Sequence, residues 1–215
     1  MAFARSILAA ALAAAAGLAT PAAAQIAPSR SGTSSMTYLG QDEVWDAIGE
    51  FGVCYAGTNR KGALSLIATE PNSDAETATY KKLFGKGNPC LGDVVGLHGI
   101  AISMIRGAVA EGLYRKRVAI PAELMQTAPP VGQIHNLGQA ALCYTAAHAD
   151  QAQALIATTH AGSRKEYDAM KALADDFWQC IPAGARHLSF DSTQIRFRIA
   201  EALLRTGHLP PAGPR

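Results

Sequence analysis

The chain has 215 residues, 19 Lys and Arg against 17 Asp and Glu, and 49% hydrophobic residues of which few are aromatic. A net charge of +2, with its basic residues in short isolated clusters ("YKK" at Tyr80–Lys82, "YRKR" at Tyr114–Arg117), argues against a protein that grips nucleic acid through its phosphates. Beyond the N-terminus no run of about 18 apolar residues occurs; the best candidate, "GIAISMIRGAVAEGLY", is broken by Arg106 and Glu111.

"MAFARSILAAALAAAAGLATPAAAQ" combines Arg5, an apolar run from Ile7 to about Ala19, and small residues at Ala22 and Ala24. This is the pattern of a secretory signal peptide over residues 1–24, with cleavage after Ala24 and Gln25 as the first mature residue. The apolar run is shorter than the ~20 residues of a membrane anchor. The residue directly after the cleavage point is Gln25 and not a cysteine, so nothing suggests lipid attachment there. Removing the leader takes away one Arg and no acid, leaving 18 basic side chains of the 19 against 17 acidic. Residues 25–41, rich in Ser and Gly, read as a flexible segment.

The stretch "LIAT" occurs at Leu66–Thr69 and again at Leu155–Thr158, and the match extends in both directions. Upstream, Val53-Cys54-Tyr55 meets Leu142-Cys143-Tyr144. Downstream, Ser73-x-x-Glu76 meets Ser163-x-x-Glu166, Cys90 meets Cys180, Ile105-Arg106 meets Ile195-Arg196, and Ala110-Glu111-x-Leu113 meets Ala200-Glu201-x-Leu203. The register changes once, where "TEPNS" becomes "TTHAGS", as a one-residue loop insertion would do. The expected architecture is all-α, with two pseudo-symmetric four-helix units at 42–117 and 132–207.

In the first unit a helix over about 42–56 carries Val44, Ile48, Phe51 and Tyr55 on one face; its partner is expected over about 133–147. A short second helix buries the Leu-Ile pair. The third opens with a capping box, the serine accepting from a first-turn N–H and the glutamate returning to the serine N–H. Its apolar stripe is Thr77, Tyr80, Leu83 and Phe84, matched by Tyr167, Met170, Leu173 and Phe177. The fourth covers about 102–116 and about 192–206, with Gly207 as a C-terminal stop. Pro121, Pro129 and Pro130 mark 118–131 as a connector, and 208–215 reads as a flexible tail.

The four cysteines, Cys54, Cys90, Cys143 and Cys180, fall at matched positions, two per unit. In an exported chain they read as disulfides. Three connectivities are possible. Cys54–Cys90 and Cys143–Cys180 are favoured, because a unit that was duplicated must once have been stapled within itself. Each bridge would stabilise the fold by on the order of 3.8 kcal/mol in the chain-entropy model. No C-x-x-C, H-E-x-x-H or phosphate-loop ending is present, so no metal or cofactor is expected. Arg106 and Arg196, each beside the apolar stripe of the fourth helix, are candidates for closing helix C-termini or pairing with Glu76 or Glu166, with an anion site between the units as the alternative. Trp45 and Trp178 do not match each other and read as packing residues.

The order "CY…LIAT…S-x-x-E…C…IR-x-x-x-AE-x-L", run twice behind an Ala-rich leader, resembles uncharacterised exported tandem-repeat helical proteins of alphaproteobacteria, of the sphingomonad type. The resemblance covers about 42–207; it implies compartment and fold and supplies no catalytic residues. The expectation is a periplasmic or secreted, non-enzymatic interaction or structural module that meets a protein or other envelope component. A small envelope hydrolase using His98 or His135 with a nearby carboxylate is the alternative.

Overall fold

Side-chain caps open several of the helices, and one of them, the serine of Ser-x-x-Glu, stands in both halves. The computed structural model describes residues 41–83, 87–91, 100–182, 184 and 190–210. The expected leader, the segment up to residue 40, Phe84, His98 and residues 211–215 lie outside them. The described residues form eight α-helices and no strand: α1 Gln41–Thr58, α2 Arg60–Ile67, α3 Asp74–Leu83, α4 Ile102–Arg115, α5 Leu137–Ala147, α6 Ala149–Thr158, α7 Arg164–Gln179 and α8 Ser192–Arg205. Two 3-10 turns, Ala122–Leu124 and Val131–Gln133, occupy the connector.

Helix α5 starts later than the expected residue 133. Residues following Pro130 form a 3-10 turn, and the Asn136 side chain then accepts from the Gln139 N–H to open the α-helix. The capping boxes also differ from expectation. Ser73 and Ser163 accept from the N–H groups of Glu76 and Glu166. The glutamates, however, reach one residue further back, accepting from Asn72 N–H and Gly162 N–H, both held at positive φ. On α7, Tyr167 is 52% exposed, not part of the stripe. The face that packs inward is Glu166, Met170, Leu173 and Phe177, spaced by four, three and four, so an acid heads the apolar row.

Helices α4 and α8 end identically. Val118 N–H donates to Leu113 O and Arg117 N–H to Tyr114 O; His208 N–H donates to Leu203 O and Gly207 N–H to Leu204 O. Both are Schellman turns, with Arg117 at φ 57° and Gly207 at φ 76°. Part of the "YRKR" cluster is therefore held in the fold. Tyr114 is buried, and Arg117 donates to Pro210 O. That bond, with Gln153 Nε2 to Leu209 O, holds the first residues of the expected flexible tail against the helices.

The disulfides join Cys54 on α1 to Cys90 and Cys143 on α5 to Cys180 at the end of α7. Each staples one set of four helices, but the sets do not form separate bodies: α4 packs along α8, and the two belong to one compact unit. Phe197 and Leu204 of α8 pack in the core built around Ile48, Phe51, Leu66 and Ile105. In return, Tyr114 of α4 packs in the core built around Tyr144, Ile156, Phe177 and Ile199. Burying such side chains contributes about 1.5–3 kcal/mol each, so part of each core's stability is supplied by the other half.

The α1–α4 contact is backbone to backbone. A Cβ at Gly52 would sit 2.1 Å from Ala108 O, and one at Gly112 would sit 2.2 Å from Gly52 O. The corresponding positions of α5 and α8 hold Ala141 and Ala202, with Arg198 in place of Ala108. A methyl group at each contact point cannot fit so close an approach, and this difference opens space beside α8.

Candidate functional site

Two features concentrate polar chemistry: a buried lattice of charges along α4 and α8, and a cavity beside it. Arg106 and Arg196 are the fifth residues of α4 and α8 and are wholly buried. Arg106 donates from Nε to Glu201 at 2.9 Å and from Nη1 to Glu76 at 3.0 Å. Its remaining N–H groups meet Leu66 O, Ile67 O, and Thr69 O and Oγ1 at the C-terminus of α2. Arg196 makes a two-pronged pair with Glu111, Nε to Oε2 and Nη2 to Oε1 both at 2.9 Å. It also reaches Leu155 O, Thr159 O and Thr159 Oγ1 at the end of α6. Thr159, not Thr158 of the second "LIAT", takes the role that Thr69 has, which places the extra residue inside the last turn of α6.

The carboxylates are exchanged between the halves: Arg106 of α4 pairs with Glu201 of α8, and Arg196 of α8 with Glu111 of α4. The fourteenth residues continue the pattern. Arg115 donates to Glu111, Ile156 O and Thr159 O, while Arg205 donates to Glu201, Ile67 O and Leu124 O. Each buried helix C-terminus, at α2 and α6, thus receives two guanidinium groups, which satisfy its orphan carbonyls and its negative dipole end. All five N–H groups of Arg106 and of Arg196 have acceptors within the chain. Neither has a donor left for an external anion, so the anion-site alternative does not rest on these two residues.

The lattice treats its acids unequally. Burial pushes the Glu201 carboxyl up, but Arg106, Arg205 and Arg198 outweigh it and hold the group at about 2. Burial pushes Glu166 up to about 7, against the pull of Arg196, Gly162 N–H and the Thr193 hydroxyl, with Glu111 adding to the rise. The geometry explains the contrast. Arg106 binds Glu76 directly, whereas the equivalent Arg196 turns both prongs to Glu111 and leaves Glu166 Oε1 buried with no partner among the described residues.

The space beside α8 is a cavity of about 310 Å³. Its walls are Glu70 and Asn72 from the α2–α3 turn, Gln126 from the connector, the start of α5 from Asn136 to Gln139, and Arg198, Glu201 and Arg205 of α8. Of the two arginines that line it, Arg198 is the one that the lattice only partly engages. It gives a single bond, Nη1 to Glu201 Oε2 at 3.3 Å, and its side chain is 18% exposed. The seventh residue of α4, Ala108, has no charge to match it. Arg198 carried no signal within the repeat; its departure from the repeat was the available clue.

Among the described residues, the remaining polar and aromatic candidates are not brought together. His135 and His160 are exposed, and the side chain of neither bonds a described residue. His148 Nδ1 lies 3.9 Å from Asp176 and its ring stacks on Tyr144, a packing arrangement. Trp45 packs partly buried on the first core, and Trp178 lies against Phe190 with ring centroids 6.1 Å apart. Among the described residues no group of three or more His, Cys, Asp or Glu is placed to hold a metal ion, and no helix is long and apolar enough to cross a membrane. Comparison with known proteins finds no match: no family model fits the chain, and no curated protein and no solved structure is significantly similar to it.

Proposed function

We propose that the protein is an exported, non-enzymatic binding module of the cell envelope, built from two copies of one stapled helical unit, whose recognition surface is the cavity beside α8. The carrying observation is the division of labour among its charges. Arg106, Arg115, Arg196 and Arg205 are engaged with chain acceptors, so they fix the walls, while Arg198 faces the space those walls enclose. A pocket on rigid elements with a few convergent polar groups is the usual form of a binding site. The two disulfides support an oxidising compartment. The resemblance to exported tandem-repeat proteins of alphaproteobacteria points the same way.

The test has two arms. N-terminal sequencing of protein from the native envelope fraction should begin at Gln25. Purified protein should show saturable binding to an envelope component and no turnover on a broad hydrolase panel. Turnover that disappears in His98→Ala or His135→Ala would replace the binding reading by the hydrolase one.

A further inference from the structure

The cavity's wall is sorted by hydrogen-bonding type. Asn136 Oδ1 accepts from Gln139 N–H at 2.9 Å, and Gln139 Oε1 accepts from His135 N–H at 2.7 Å. A backbone N–H can only donate, so both side-chain amides have their oxygens engaged, and their NH₂ groups have no partner among the described residues. The N–H groups of Leu137 and Gly138 lie in the first turn of α5, where no intrahelical acceptor exists. Arg198, which lines the same cavity, has bound only Nη1, which leaves Nε and Nη2 without an acceptor among the described residues.

Two acids and two arginines line the cavity, so what marks the site is its unengaged donors and not a net charge. Glu201, held ionised, already accepts from Arg106, Arg205 and Arg198. Glu70 is exposed at the rim. Pro71, Leu142 and Ala202 supply apolar wall. A guanidinium that lines one small space together with amide and backbone N–H donors matches an oxyanion on a small, partly apolar body.

We infer that the cavity binds a small organic anion ending in a carboxylate or phosphate, held between Arg198 and the first turn of α5. This rests on the binding-module reading and names its ligand class. The loss of the close α1–α4 style of contact, through Ala141, Ala202 and Arg198, made room for it. The lattice holds Arg198 only by one 3.3 Å bond, because Glu201, its partner, is also bound at 2.9 and 3.0 Å by Arg106 and Arg205.

Calorimetric titration of the disulfide-intact protein with succinate, inorganic phosphate and neutral succinamide tests this, using three variants. Asn136→Asp keeps an N-cap acceptor for Gln139 N–H, so the helix start is retained, but it places a carboxylate at the mouth. Arg198→Gln removes the cation. Arg164→Ala, on an arginine 82% exposed on α7, is the control for non-specific attraction. The expected result is binding of succinate, phosphate or both that weakens at least ~10-fold in Asn136→Asp and in Arg198→Gln, is unchanged in Arg164→Ala, and is not seen with succinamide. A preference between the two anions distinguishes carboxylate from phosphate ligands. Anion binding that Asn136→Asp leaves intact, or no binding of either anion, overturns the inference. Succinamide binding as tightly as succinate overturns it too, yet leaves the binding-module reading standing; turnover in the hydrolase panel removes that reading independently.

Discussion

Replacing Glu166 by Gln should make the protein less sensitive to alkali. In the folded state burial holds this carboxyl at about 7, against an ordinary value of 4.5. The folded chain therefore prefers the protonated form. The stability associated with it is complete below 4.5 and is lost as pH rises through about 7. With about 1.4 kcal/mol for each tenfold change in proton affinity, the loss between pH 5 and pH 8 is on the order of 2–3 kcal/mol. For a domain of this size that corresponds to a melting temperature lower by roughly 5–10 °C. The amide introduced by Glu166→Gln would keep an oxygen for Gly162 N–H and Thr193 Oγ1 but could not ionise. Melting curves of both proteins at pH 5, 6, 7 and 8 give the difference directly, since every other group titrating in that window cancels between them. Parallel curves would refute the reasoning: they would mean that Glu166 Oε1 has a partner and that Arg196 serves two acids.

Three other outcomes follow from the same geometry. Arg106→Met or Arg196→Met should cost about 3–5 kcal/mol each, since each strands buried carboxylates and the carbonyls of a helix end; chemical denaturation measures it, and a change under about 1 kcal/mol would show that water replaces the guanidinium. Glu201 titrates in the opposite sense to Glu166: the stability it provides is present above pH 4.5 and lost as pH falls toward about 2, so Glu201→Gln should flatten the acid limb of the stability profile. Gly52→Ala should destabilise by several kcal/mol because the new methyl meets the Ala108 carbonyl, whereas Ala141→Gly should cost only about 1 kcal/mol, both read from melting temperature.

The helices and the disulfide pairs were legible because their signals are local or repeated: apolar residues at three and four, Ser-x-x-Glu before a helix, cysteines at matched places. The partners of the arginines were not. Arg106 and Glu111 stand five residues apart on one helix, about 140° around its axis, and so cannot meet each other. That mismatch says a partner must come from elsewhere but not from where, and a single unit offers only Glu76 or Glu166. Only packing α4 along α8 brings Glu201 and Glu111 to them. The cavity was hidden for a related reason. It arises where the halves differ, at Gly52 against Ala141, Gly112 against Ala202 and Ala108 against Arg198, and a search for likeness passes over those positions.

The exchanged ion pairs bear on why the two halves travel in one chain. A lone first half would keep Glu76 for Arg106 and Arg115 for Glu111 but would lose the partners that Glu201 and Arg196 bring across the seam, and a second molecule of the same half is the smallest thing offering both. Pairing of that kind weakens as the protein is diluted. Tethering through residues 118–131 makes the encounter intramolecular, so the seam between α4 and α8 holds at any concentration.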